Sequence, residues 1–361
     1  MSLSRRDLAL LAAAGALAPS ALAAQARTPL VIAHRGASAE RPEHTRAAYE
    51  LAIKEGADFI EPDLVATSDG ALVARHENEI GQTTDVASRP EFADRKTTRT
   101  VDGEAATGWF TEDFTLAELK TLTCKERMPQ LRPASAKFDG TERILTLQEV
   151  IDIARAGSVQ TARPIGVYPE MKHPRYFAAL GLPLEERLAG VLRANGYNSP
   201  AAAVFVQCFE AEALRTFSRL SRARRIQLIG SGPSAATLVT PGGLQFVRTY
   251  ADGIGAEQSL VLDMAAEELP PTPLVADAHA AGLLVHSWTA RAENQFLPTQ
   301  LQRGSSTQKD FARRAGNANA LMVALFMAGL DGVFTDFPAL AAKARREALA
   351  EIAREQRKRR P

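Results

Sequence analysis

Eight short β-rich runs recur in this chain, most of them apolar on both faces, with residues of helical periodicity between them: 30–34, 58–63, 71–76, 164–171, 203–208, 225–230, 282–287 and 332–335. A strand without a polar face has to be covered on both sides, as parallel strands are when packed between helices and an interior. The intervening helices have legible limits. Segments 43–55, 184–195 and 273–281 stop at Gly56, Gly196 and Gly282, the residue type that closes a helix in the left-handed region. Thr115-x-x-Glu118 and Thr146-x-x-Glu149 are capping boxes that open helices over 116–122 and 147–156. Eight strands with interleaved helices predict a TIM (β/α)8 barrel. An open doubly wound sheet is the competing arrangement, but no glycine-rich phosphate loop follows the first strand.

Two connections break the rhythm. Only seven residues, 64–70, separate the second and third runs, too few for a parallel crossover, which takes a dozen or more. Residues 77–163 form a connection far longer than an ordinary loop. It is rich in Thr, Asp, Glu and Arg and has Trp109 and Phe110 at its centre. It reads as a subdomain, about 77–145, inserted after the third strand and capping the barrel mouth.

Residues 1–26 stand apart from the fold. Arg5 and Arg6 precede an apolar run at 8–18, and Ala21-Leu22-Ala23 and Ala24-Gln25-Ala26 offer cleavage sites of the A-x-A kind. The run is shorter than the ~20 residues that span a bilayer, so no transmembrane segment is expected. Ser4-Arg5-Arg6-Asp7-Leu8 also resembles a bacterial twin-arginine export signal; an ordinary secretion signal is the alternative. Either way the expectation is a cleaved leader, a mature chain of 27–361, and a periplasmic or secreted location.

That mature chain suits one large barrel. With 43 Lys+Arg against 42 Asp+Glu, the full sequence has a net charge of +1, and loss of the leader removes two arginines and one aspartate. A neutral protein lacks the basic footprint of a nucleic-acid binder. Cys124 and Cys208 are too few for a disulfide framework and are expected to be buried, unpaired thiols.

Active sites of such barrels form at the C-terminal ends of the strands. Those ends carry His34-Arg35, Glu61-Pro62-Asp63, His76-Glu77, Glu170-Met171-Lys172, His286-Ser287-Trp288 and Thr335-Asp336. Period-two geometry puts Glu61 with Asp63, and Glu170 with Lys172, on shared faces. Three carboxylates, Glu61, Asp63 and Glu170, converging on one interior repel one another unless a cation compensates. An oxygen-only set suits Ca2+ or Mg2+ rather than zinc. His34 and His76 are candidates for general acid and base. Arg35 and Lys172 are candidates to hold an anion, and Trp288 to wall the alcohol portion. Together they describe hydrolysis of a phosphate ester. His44, His173, His279 and His286 are expected in structural roles, His44 as a support behind the site.

These residues resemble a known family. His34-Arg35-Gly36-Ala37-Ser38, Pro42-Glu43-His44-Thr45 and the stretch from Gly56 to Asp63 follow, in order, the opening motif of exported bacterial glycerophosphodiester phosphodiesterases. Gly108-Trp109-Phe110, Tyr168-Pro169-Glu170-Met171-Lys172, Gln207-Cys208-Phe209, His286-Ser287-Trp288-Thr289 and Phe334-Thr335-Asp336-Phe337-Pro338 resemble its later blocks. The resemblance implies a TIM barrel with an insertion after the third strand. It implies catalytic histidines at His34 and His76, metal carboxylates at Glu61, Asp63 and Glu170, and phosphate binding at Arg35 and Lys172. The implied reaction releases an alcohol and glycerol 3-phosphate. Ala39, Glu77 and Ser287-Trp288 depart from the family's usual residues, the last where the alcohol is expected. A phospholipase D-like enzyme or lyase would instead show a wide apolar rim around Trp288 and Trp109. A non-catalytic phosphoester-binding protein would need the anion site without two histidines.

Overall fold

The computed structural model describes residues 28–233 and 235–358, so the leader expected at 1–26 lies outside the described residues. The barrel strands are β1 (Leu30–His34), β2 (Phe59–Glu61), β3 (Asp63–Ala66), β7 (Gly166–Val167), β8 (Glu170–Met171), β9 (Phe205–Cys208), β10 (Arg224–Ile229), β11 (Gly253–Glu257), β12 (Leu284–Ala290) and β13 (Gly332–Thr335). β4 (Leu72–Ala74), β5 (Thr97–Val101) and β6 (Glu104–Gly108) lie between β3 and β7 in the chain. β2 with β3, and β7 with β8, are two staves each broken at a proline, because Pro62 and Pro169 have no N–H for the ladder. Their carbonyls still accept, from Glu170 N at 2.9 Å and Gln207 N at 2.9 Å. Parallel pairing runs from β1 through β2/β3, β7/β8, β9, β10, β11 and β12 to β13 and back to β1, which closes eight staves into a TIM barrel.

The capped helices form as expected. Thr115 and Thr146 both complete capping boxes, at the starts of Leu116–Leu119 and Leu147–Thr161. The helix Arg46–Lys54 opens on a Thr45 cap and is followed by Gly56 at φ +100°. Among the described residues no helix is long and apolar enough to cross a membrane. The barrel interior is packed by Ile32, Phe59, Tyr168, Phe205, Ile226 and Phe334, so it is a core and leaves the site at the mouth. Both cysteines are free and buried.

Two strand expectations are corrected. The run at 71–76 is not a barrel stave. β4 pairs antiparallel with β3, Leu64 opposite Ala74 and Ala66 opposite Leu72, outside the ring. The short connection at 64–70 is therefore a hairpin. The insertion does follow this third strand in the chain, and it lies between the second and third staves of the ring. The true sixth stave, β11, is absent from the sequence expectation because Gly253 and Gly255 dilute its strand signal. Close packing demands those glycines: a Cβ on Gly253 would meet the Leu284 carbonyl oxygen at 2.7 Å, and one on Gly255 would meet Leu228 Cδ2 at 2.7 Å.

The insertion contains the β5–β6 hairpin and several short helices. Trp109 is buried in it and donates its indole N–H to the Phe92 carbonyl at 2.7 Å. It therefore does not line the mouth cavity with Trp288.

Candidate active site

His34, Arg35, Glu61, His76, Glu170, Lys172 and Trp288 line one cavity of about 320 Å³ at the barrel mouth. Asp63, the remaining expected site residue, is buried beside it. His76 arrives by an indirect route. β3 continues past the mouth, β4 returns antiparallel, and Arg75 N donates to the Asp63 carbonyl at 2.9 Å, which brings the next residue back to the level of the carboxylates.

One oxygen each of Glu61, Asp63 and Glu170 lies within 4.8 Å of the other two. Their environments differ. Glu61 Oε1 accepts from Gln207 Nε2 at 3.1 Å and Oε2 from the Arg35 amide at 2.9 Å. Glu170 Oε1 accepts from Lys172 Nζ at 2.9 Å. Asp63 Oδ2 accepts from His44 Nε2 at 3.0 Å and lies 3.0 Å from Arg35 Nε, whereas Asp63 Oδ1 is buried with no hydrogen-bond partner. Burial raises the Glu61 carboxyl well above its ordinary range, and Asp63 and Glu170 push it further. Burial likewise raises Glu170 to about 7 against the pull of Lys172. Burial alone would raise Asp63 too, but Arg35, His76, His44 and Lys172 hold it well below its ordinary value. An unpartnered buried carboxylate oxygen among three hard donors fits a divalent cation, whose charge would relieve the mutual repulsion.

The two histidines are built alike. His34 Nδ1 lies 2.6 Å from Asp336 Oδ1. His76 Nδ1 is hydrogen-bonded to Glu77 Oε1, and its Nε2 lies 3.3 Å from Lys172 Nζ. Burial, with Arg35, lowers His34 to about 4 despite Asp336. Burial, then Arg35 and Lys172, lower His76 to about 3. Each imidazole is neutral near pH 7 and is oriented by a carboxylate at Nδ1, the arrangement of a proton-transfer pair.

Residues 34–340 match the model of a family described as glycerophosphoryl diester phosphodiesterase. The chain belongs to that family. It is 35% identical over 334 residues to glycerophosphodiester phosphodiesterase GDPD6 of Arabidopsis thaliana, covering 87% of this chain and 85% of the relative. It is 28% identical over 345 residues to the Haemophilus influenzae glycerophosphodiester phosphodiesterase, covering 86% and 87%. Among solved structures, an Oleispira antarctica phosphodiesterase in complex with the product sn-glycerol-3-phosphate superposes with a TM-score of 0.57 at 21% identity, over 88% of this chain and 96% of that one. A glycerophosphodiester phosphodiesterase of Agrobacterium tumefaciens superposes with a TM-score of 0.56 at 18% identity, over 87% and 99%. These two likenesses show the same fold.

The reading of strand ends gives no role to several groups of this phosphodiesterase's site, although Asp336 stands at one of those ends. Gln207 is a polar residue inside the buried strand β9, and that anomaly was available as a signal. Asp336 holds His34 and is gripped by Arg132 Nη2 at 2.6 Å and Arg291 Nε at 2.7 Å. Glu43 accepts from Arg35 at 3.2 Å and takes a two-pronged contact from Arg127, which also reaches Glu77. The polar stretch 291–319 brings Arg291 and Phe296 to the cavity. His44 lies between Tyr49 and Asp63 behind the cluster, as expected, donating from Nε2 to Asp63 with Nδ1 2.8 Å from the Tyr49 hydroxyl, and His286 is buried in the barrel interior, 2.7 Å from the Tyr168 hydroxyl.

Proposed function

We propose that this enzyme hydrolyses glycerophosphodiesters to an alcohol and sn-glycerol 3-phosphate, with Glu61, Asp63 and Glu170 holding one divalent cation, Ca2+ or Mg2+. One observation carries the reading: two imidazoles, each pinned at Nδ1 by a carboxylate, line the same cavity as an oxygen-only acidic cluster. The sn-glycerol-3-phosphate bound by the Oleispira relative supports the same product here. When bound, a divalent cation supplies Lewis acidity and neutralises charge on phosphoryl oxygens.

The protein supplies the rest. Arg35 and Lys172 draw the anionic diester into the cavity, and their own carboxylate partners keep them charged and in place. Of His34 and His76, one enters neutral and removes the proton from the attacking hydroxyl or water at Nε2; the other takes up a proton from solvent as the anionic diester binds and delivers it from Nε2 to the leaving alkoxide. Asp336 and Glu77 stabilise the imidazolium each forms in turn. His34→Ala and His76→Ala should each lower kcat by roughly 10²–10⁴-fold, and EDTA should abolish activity until Ca2+ or Mg2+ is restored. Full activity in both variants, or in EDTA, overturns the reading.

The same proposal includes export before function, a reading that rests on the leader sequence alone. N-terminal sequencing of protein recovered from the producing cells should begin just after Ala23 or Ala26; an intact Met1 terminus contradicts it.

A further inference from the structure

The end of the barrel opposite the mouth carries charge that the reaction does not use. Helices of such a barrel run back against the parallel strands, so their last turns meet the strand starts at this base. Arg193, Arg219 and Arg248 stand in the last turns of Leu184–Ala194, Ala211–Leu220 and Pro241–Arg248, the helices that lead into the neighbouring strands β9, β10 and β11. Arg222 stands just before β10, and Arg357 and Lys358 end the helix Pro338–Lys358. All six are exposed, and none forms an ion pair among the described residues. The acids of the base are already matched. Half-buried Asp58 pairs with Arg163 and Arg345, Asp252 with Arg225, Asp331 with His279, and Glu351 with Arg354. A cation in the last turn complements the carbonyl end of its helix, but that leaves Arg222, which is outside any helix, without a role.

The same face has an apolar opening. Leu30, Phe59, Phe205 and Leu284, from the starts of β1, β2, β9 and β12, line a cavity of about 130 Å³ below the barrel core. Arg224 lies over the Phe205 ring, 3.8 Å from its centroid, and donates to the Ala202 carbonyl at 3.3 Å. Thr28, the first described residue, lines this cavity too, so the chain that bears the apolar run at 8–18 joins the barrel on this face. Cations around an apolar opening fit a partner that is both anionic and apolar at one surface. A nucleic acid would supply the phosphates and leave the apolar wall in water.

We infer that the base of the barrel docks on an anionic phospholipid surface, with its cations on the lipid phosphates and its apolar opening toward the acyl boundary. The whole chain is close to neutral, so the attraction comes from where the charges sit. The mouth then faces away from the lipid, and Arg35, Lys172 and the two histidines stay open to dissolved substrate. The docking is independent of the diesterase reaction. Glycerophosphodiesters are phospholipids without their acyl chains, so a deacylation supplies them, and docking would hold the enzyme where that reaction occurs.

The test is co-sedimentation with vesicles, using protein without residues 1–26 so that the leader cannot act as a competing anchor. Vesicles of equal parts phosphatidylglycerol and phosphatidylcholine should bind it in about 0.1 M salt and release it in about 1 M, where the screening length falls to ~3 Å. Vesicles of phosphatidylcholine alone should not bind it. Combined Arg219→Gln, Arg222→Gln and Arg248→Gln should weaken binding about 100-fold and leave diesterase kcat/KM unchanged. Arg357→Gln with Lys358→Gln, at a solvated helix end, should weaken it about tenfold. Absence of binding to the anionic vesicles, equal binding to phosphatidylcholine, or undiminished binding in the triple variant overturns the inference. So does equally tight binding of a short DNA duplex at matched phosphate concentration, which would make the base a general polyanion site. If the triple variant loses diesterase activity as well, the Arg357 and Lys358 pair decides: undiminished binding overturns the docking, and a tenfold loss supports it.

Discussion

His34 Nδ1 sits 2.6 Å from Asp336 Oδ1, and the other oxygen of Asp336 is held by two arginines, Arg132 from the insertion and Arg291 from the 291–319 stretch. Burial alone would raise Asp336, but Arg291, Arg132 and His34 keep it well below the ordinary carboxylate range. It is therefore a fixed anion whose position sets the tautomer and tilt of the imidazole. Asp336→Asn preserves shape while removing the charge that stabilises an imidazolium. It should lower kcat by roughly 10²–10⁴-fold with KM within a few-fold, as steady-state kinetics would read. A change confined to KM would make Asp336 a substrate-binding group instead.

The acidic cluster gives a second prediction. Glu170 titrates at about 7 without a cation, and Glu61 lies well above its ordinary value. Ligands must be deprotonated, so cation binding expels protons. Calcium or magnesium affinity should therefore rise as pH increases through 7, and calorimetry in buffers of different ionisation enthalpy should show more proton release at pH 6.5 than at pH 8.5. Asp63→Asn, which alters the unpartnered buried oxygen, should abolish the binding. Affinity independent of pH would show that these carboxylates are not the ligands.

How much of this was legible in the sequence follows from the range of each interaction. Period-two alternation puts Glu61 with Asp63 and Glu170 with Lys172 on shared faces, and strand ends locate His34 and Trp288, but the adjacent His34 and Arg35 reach one cavity because Arg35 has left the strand, at φ +62°. His76 is found at the site although its strand is not a stave, because a hairpin that overshoots and returns ends at the same level as the stave it left. Glu43 and Asp336 stand inside motif-like stretches, but their partners Arg127 and Arg132 lie in the insertion. Arg132 and Asp336 are separated by 204 positions, and no local pattern encodes a contact that the folded insertion alone creates. β11 stayed hidden for the opposite reason: its glycines answer a packing demand from neighbouring staves.

The barrel interior predicts an acid-sensitive stability unrelated to catalysis. His286 is fully buried, its Nε2 has no partner, and burial lowers it to about 4 from 6.5. Between those values the unfolded chain binds a proton that the folded protein refuses, so stability rises with pH. The contribution is fully retained above pH 6.5 and is lost as pH falls toward 4, by about 3 kcal/mol in all. Urea unfolding at pH 4.5 and 7 should show a smaller loss in His286→Gln, which keeps a partner for the Tyr168 hydroxyl. An identical loss in the variant would move the acid sensitivity elsewhere.

The insertion enters the chemistry through Arg132. This buried guanidinium donates to Glu293 Oε1 at 2.8 Å, to the Ser38 carbonyl at 3.0 Å and to Asp336 Oδ2 at 2.6 Å. It thus ties the loop after β1, the 291–319 stretch and the end of β13 to one point. Arg132→Met leaves two buried carboxylates short of a partner and should destabilise the protein by about 3–5 kcal/mol. Arg132→Lys keeps the charge without the fork and should fall between. If Arg132 acts on the reaction by holding Asp336, the kcat losses of Arg132→Met and Asp336→Asn overlap, because each disables the same support of His34. The double variant should then be well short of the product of the two single effects. Multiplicative losses across that cycle would mean that the insertion stabilises the barrel without positioning the histidine.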